Sequence, residues 1–160
     1  MLNKQTRILG INPGARYIGY AQFSNAELRD WGIKAVKGKW TPEKSQKIGR
    51  ILLGLLDQYQ PNVVTIKKLH PARTSPNLHG IVNRFKEICR ERGIHVYEYP
   101  IKYLEQVVLT EKLNKRKLAE SLAELYPALL PEFQKKKFSY YTWMFEAVAL
   151  GHVCSNQLDN

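Results

Sequence analysis

The chain has no apolar run approaching the ~20 residues that a membrane-spanning helix requires, so no membrane partner is expected. Cysteine is scarce: Cys89 and Cys154 stand far apart and form no CxxC pair. Each falls in a segment with helical apolar periodicity, which points to buried reduced thiols rather than a disulfide or metal site. The four histidines (His70, His79, His95 and His152) lack zinc-type spacing. No GxGxxG or GxxxxGK[ST] pattern is present, so Gly10 and Gly14 do not belong to a phosphate loop. Aspartate is rare as well, with Asp30, Asp57 and Asp159 set against eleven glutamates. Met1 to Arg7 leads into a short apolar run without the h-region of a signal peptide. A soluble, cytoplasmic protein is the expectation. With no repeat, low-complexity tract or Pro/Gly-rich linker, residues 1–160 read as a single domain.

What the chain does have is positive charge. Twenty-five Lys and Arg against 14 acids give a formal net charge of +11. An excess of that size favours a polyanionic partner, because neutralised phosphates release their counterions. Plain solubility is the other reading. The 44% hydrophobic fraction and nine tyrosines argue for a folded core rather than disorder.

Residues 7–23 hold two β-branched and aromatic runs joined by Asn12-Pro13-Gly14-Ala15, the pattern of a β-hairpin with a tight turn. Residues 27–37 read as a third strand, with Gly32 as a bulge. Thr41-Pro42-Glu43 is an N-cap followed by a first-turn proline and acid. The stripe Ile48, Ile51, Leu52, Leu55, Leu56 and Tyr59 then predicts a helix, broken at Pro61-Asn62. Val63–Ile66 is a buried-type strand ending in Lys67-Lys68. A loop with Pro71 and Pro76 leads to a second helix, which Gly93 closes. Ile94–Tyr99 predicts a fifth strand. Pro100 opens a short helix, Asn114 caps a basic helix running to Leu125, and residues 140–154 form the last helix. The order is β-β-β-α-β-α-β-α-α-α, a five-stranded mixed α/β sheet with three antiparallel strands followed by parallel βαβα. Right-handed crossovers place the first and fourth strands side by side, bringing Asn12 and Lys67 together at their C-terminal ends. In open α/β sheets such ends are where sites are built.

Three separated motifs, in order, carry a family resemblance. They are Ile11-Asn12-Pro13-Gly14-Ala15-Arg16 with Gly19 following; Thr65-Ile66-Lys67-Lys68-Leu69; and Phe145-Glu146-Ala147-Val148-Ala149-Leu150-Gly151. Together they resemble RuvC-like Holliday junction resolvases and their ribonuclease H-like relatives, from Ile8 to Gly151. The resemblance implies a ribonuclease H-like fold, branched DNA as partner and a two-fold dimer matching junction symmetry. It also implies two-metal phosphodiester cleavage from carboxylates at the ends of the first and fourth strands and on the last helix.

The sequence departs at each of those carboxylates. Asn12 stands for the first aspartate, Lys67 for the glutamate, and Glu146 for the usual aspartate of the last helix; Trp143 replaces the acid one turn earlier. An ammonium a few Å from a divalent ion repels it by several kcal/mol at an intermediate dielectric. No metal is therefore expected here, and no cofactor, with Mg²⁺ or Mn²⁺ serving only a residual nuclease. Lys67 either fills the metals' space with Glu146 and Asn12 as partners, ties strand to helix through Glu146 alone, or points to solvent.

Candidate nucleic-acid contacts are Arg16 in the first turn; Lys68 and Arg73 after the fourth strand; Lys112, Lys115 and Arg116 around Asn114; and Lys135, Lys136 and Lys137 with Tyr140. Lysines beside aromatics suit phosphate contact with base stacking. A solvated loop with inward tyrosines is the alternative for the last group, and a hairpin salt bridge for Arg16. The expected function is binding of branched or otherwise structured DNA by a pseudonuclease, nucleoid-associated if so. Two alternatives stand beside it: a nuclease using Glu146 with Glu105 or Glu111, and a non-catalytic protein-interaction subunit.

Overall fold

Residues 7–12 alternate Ile8-Leu9-Gly10-Ile11-Asn12, and in an extended chain that alternation sends neighbours to opposite faces. In the computed structural model, which describes residues 6–108, 114–135 and 138–159, this strand is the centre of the fold. The side chains at 105, 138–140 and 159 also lie outside the description.

The elements are β1 (Arg7–Asn12), β2 (Tyr17–Ser24), β3 (Glu27–Ala35), α1 (Pro42–Tyr59), β4 (Val63–Lys67), α2 (Pro76–Glu91), β5 (His95–Tyr99), α3 (Ile101–Val108), α4 (Lys115–Leu125), α5 (Leu130–Phe133) and α6 (Phe138–Asp159). A short 3₁₀ turn, Pro127–Leu129, precedes α5. The sheet order is β3-β2-β1-β4-β5. β1–β2 and β2–β3 pair antiparallel, while β1–β4 and β4–β5 pair parallel. This is the ribonuclease H-like arrangement, and it brings β1 and β4 side by side as the right-handed crossovers predict.

The two faces of the sheet hold two cores. Leu9, Ile11, Ile18, Val64 and Ile66 pack against α1 and α2. Ile8, Ala21, Phe23 and Val63 pack against α6, α4 and the chain around them. Helix α6 is buried from Met144 to Gly151 without interruption, which suits a helix covered by the sheet on one side and by other helices on the other. It approaches the strands so closely that a Cβ on Gly10 would overlap the Ala147 carbonyl oxygen, and one on Gly19 the Trp143 carbonyl oxygen. Gly19→Ala is therefore expected to destabilise by about 3 kcal/mol, since overpacking against backbone outweighs the smaller entropic gain of losing a glycine. A lower urea midpoint at unchanged m-value would show it.

Local rules account for the caps. Thr41 accepts from the Lys44 N–H, Ser75 from Leu78 and Asn114 from Lys117. Gly93, at φ +76°, closes α2. Cys89 and Cys154 are buried free thiols. Among the described residues, no helix is long and apolar enough to cross a membrane.

Three expectations need correction. Gly32 is not a bulge: it sits in register opposite Tyr20, and the irregularity lies between Gln22 and Phe23. A side chain at 32 would strike the Tyr20 phenol, so glycine there makes room for a ring. The third strand ends at Ala35 rather than at 37. The last helix is longer than 140–154, running from Phe138 to Asp159.

Candidate functional site

The pairing Ile11↔Ile66 makes Asn12 and Lys67 the next residues on adjacent parallel strands. Ile11 and Ile66 belong to the α1/α2 core, so the period of two sends Asn12 and Lys67 to the opposite face, under α6. There they meet Glu146. Lys67 Nζ lies 2.8 Å from Glu146 Oε1, and Asn12 Nδ2 donates to Glu146 Oε2 at 3.4 Å and to the Trp143 carbonyl at 3.3 Å. Glu146 is 2% exposed and the Lys67 side chain 24%.

Each carboxylate oxygen of Glu146 thus has its own donor, the condition under which a buried charge is tolerated. Asn12 is co-fitted to this arrangement. An aspartate at 12 would set a second carboxylate against Glu146 Oε2, whereas the amide turns that repulsion into a hydrogen bond. Of the three placements open for Lys67, the structure shows the pair with Glu146, with Asn12 as the second partner of the same carboxylate.

The residues present do not fit a divalent pair. The one carboxylate at this point is engaged by an ammonium. The amide oxygen of Asn12, buried and without a hydrogen bond, carries no charge. Among the described residues, no cluster of three His, Cys, Asp or Glu could hold an ion. Mg²⁺ demands several hard anionic oxygens at one spot. Glu111 lies outside the described residues, as does the Glu105 side chain. Neither thiol offers nucleophilic chemistry instead, because burial pushes Cys89 and Cys154 each up to about 11.

Beside this triad opens a cleft of about 780 Å³, at the C-terminal ends of the parallel strands. Lys67, Lys68, Arg73 and Lys102 line it, Trp40 and Trp143 contribute to its walls, and among the described residues no carboxylate does. Lys68 is anchored through its backbone N–H to the Tyr99 carbonyl at 2.9 Å. His70 shapes the same loop: its Nδ1 accepts from the N–H groups of Ala72 and Arg73 at 3.1 and 3.2 Å. The ring is a turn device whose accepting nitrogen is already used. Trp143 lies against Gly14, with the Tyr17 ring 6.1 Å away and tilted by 58°.

Of the remaining candidates, Arg16 is exposed in the first turn and has no ion pair among the described residues; its carbonyl accepts from Val36 N–H at 2.7 Å. The hairpin salt bridge considered for it is therefore absent there. Lys115 and Arg116 are exposed at the start of α4, and the Arg116 guanidinium sits 5.2 Å from the centre of the Phe133 ring. Lys135 pairs with Glu132 at 2.9 Å and lies over Tyr141. Lys112, Lys136 and Lys137, and the Tyr140 side chain, lie outside the described residues. The sequence reading did not single out Lys102 or Trp40. Their signal was positional: Lys102 follows β5 by three residues, on the sheet end that carries Asn12 and Lys67, and Trp40 directly precedes the Thr41 cap.

The geometry defines a ribonuclease H-like fold with a basic, aromatic cleft at the end of its parallel strands. Solved structures of that fold match nearly the whole chain. Thermus thermophilus RuvC has 17% identity over 96% of this chain and 97% of its own, with a TM-score of 0.71. The same protein in complex with Holliday junction substrate gives 0.69 over 96% of both chains at 17% identity. Fowlpox virus resolvase with Holliday junction DNA gives 0.62, also at 17% identity, over 97% of this chain and 100% of its own. At such identity the likeness is one of fold. No family model matches the sequence, and no curated protein matches it.

Proposed function

We propose that this protein binds branched DNA and does not cleave it. The observation that carries the reading is the Lys67–Glu146–Asn12 triad, which puts a positive charge where a ribonuclease H-like nuclease needs metal-binding anions, at the mouth of a basic cleft with no acid among its described lining. The solved structures of the same fold with Holliday junction DNA support the substrate class. Residues 1–160 act as one domain on this reading. A two-fold dimer would match the symmetry of a four-way junction. Arg16, Lys68, Arg73, Lys115 and Arg116 supply phosphate contacts beyond Lys67.

The test is a mobility-shift titration of a four-way junction at increasing NaCl, run beside a cleavage assay. If those five side chains each neutralise one phosphate, Lys67 being already paired with Glu146, log K falls against log salt with a slope of about −4.5. That is a loss of roughly several hundredfold between about 50 and 200 mM salt. No product is expected with Mg²⁺ or Mn²⁺. Junction cleavage under those conditions would overturn the pseudonuclease reading. Salt-insensitive or absent junction binding would shift the basic surface to an acidic protein partner.

A further inference from the structure

We infer that the cleft beside the triad is a site for an unpaired nucleotide, its base against the indoles of Trp40 and Trp143 and its phosphate on Lys67, Lys68, Arg73 and Lys102. This rests on the nucleic-acid reading above and deepens it, since it specifies which part of a strand enters the cleft. Four observations converge. The cleft's volume, about 780 Å³, falls inside the range of roughly 300–1,000 Å³ typical of clefts that bury a drug-sized ligand. A mono- or dinucleotide is of that size. Its walls combine aliphatic and proline side chains with two of the chain's three tryptophans. Four cationic side chains reach it from the end of β4, the loop after β4 and the first turn of α3, with no anion among its described lining. Both indoles are backed by the protein and so held as fixed walls. The Lys44 ammonium lies 5.5 Å from the centre of the Trp40 ring, itself anchored on the Gly38 carbonyl at 2.6 Å, and Trp143 rests on Gly14.

These features select among anionic ligands. Paired DNA offers phosphates and sugar edges, but its base faces are hidden in the stack; a duplex would meet the cations at the rim and leave the indole walls uncovered. Inorganic phosphate would likewise leave the apolar part of the cleft unused. An unpaired nucleotide presents a planar face and an anion together, the two chemistries that line this cleft. It comes from one of two sources: a strand unstacked at a branch point, or a free nucleotide.

The experiment is titration of tryptophan fluorescence in the full chain with 5′-phosphorylated dithymidylate, in parallel with four-way junction binding. Saturable quenching is expected. Lys102→Glu, an exposed change, and Trp40→Ala should each weaken dithymidylate by about tenfold, and Trp40→Phe should recover most of the loss. Circular dichroism and melting curves establish that the variants fold. Unphosphorylated thymidine and inorganic phosphate should each bind at least about tenfold more weakly than the phosphorylated dinucleotide. A junction carrying one unpaired thymidine at its centre that binds about tenfold tighter than the fully paired junction assigns the nucleotide to a DNA strand. Equal binding of the two, with dithymidylate still bound, assigns it to a free nucleotide. Retained junction binding with no dithymidylate quenching, or with quenching indifferent to both variants, overturns the cleft assignment and leaves the proposed function standing. Dithymidylate binding without junction binding does the reverse, and loss of both removes both.

Discussion

Lys67→Met is expected to cost about 3 kcal/mol of folding stability, and Glu146→Gln in the same chain is expected to return most of it. The reason is the asymmetry of buried ion pairs. Removing one partner leaves an uncompensated charge, at about 3–5 kcal/mol, whereas removing both charges is often close to neutral. Glu146 is 2% exposed, so water cannot replace the lost ammonium. Asn12 remains as a donor to Oε2 at 3.4 Å, and Lys67 is partly exposed, which places the loss near the lower end of that range. Chemical denaturation of the two single variants and the double variant gives a coupling energy between the sites. A coupling below about 1 kcal/mol, the worth of an exposed pair, would mean that the triad is incidental to the fold.

That prediction depends on a feature the sequence made visible. The frames around Asn12, Lys67 and Glu146 were readable because each sits at a patterned junction: the end of an apolar strand, the end of a second one, and a small-residue helix. Strand order was not readable from periodicity, but right-handed crossovers restricted β1 and β4 to adjacency, and register then made Asn12 and Lys67 neighbours. Opposite charge at meeting positions makes the Lys67–Glu146 pair one option in the sequence, and it is the one the fold adopts.

What stayed hidden is what depends on three-dimensional convergence. Trp40 precedes α1, Lys102 is in the first turn of α3, and Arg73 lies in the β4–α2 loop; nothing local says that these share one cleft. Gly32 looked like a strand interruption because its reason, the Tyr20 ring packed over it, belongs to the neighbouring strand. The turn and short helix at Pro127–Phe133 were missed because four helical residues carry no periodicity. Helix α6 outran its expected span because a helix covered on several sides shows no polar stripe to mark its ends.

The second large effect concerns reversing the charge at the centre. In the double variant Asn12→Asp/Lys67→Glu, three carboxylates converge where one is now compensated by two donors. Two unit charges of like sign about 4 Å apart repel by about 4 kcal/mol at an effective dielectric of 20. Without metal, this variant should be strongly destabilised relative to the present chain. A divalent ion binds only the folded state, so its linkage restores stability: at a concentration a hundred times the dissociation constant the gain is about 2.7 kcal/mol. For a domain of this size that corresponds to a rise in Tm of roughly 5–10 °C. Melting curves with and without Mn²⁺ should therefore separate for the double variant and coincide for the unmodified chain, in which Lys67 already supplies the positive charge. Coincident curves for both would mean that Trp143, which stands one helical turn before Glu146 and packs onto the Asn12–Ala15 turn, holds that turn in a shape that can no longer close around an ion. Trp143 stands where a further acid would complete the ligand set, one helical turn before Glu146. Metal-dependent stability should accordingly return in the double variant and increase when Trp143→Asp is added, because Mg²⁺ and Mn²⁺ favour several anionic oxygens at one spot.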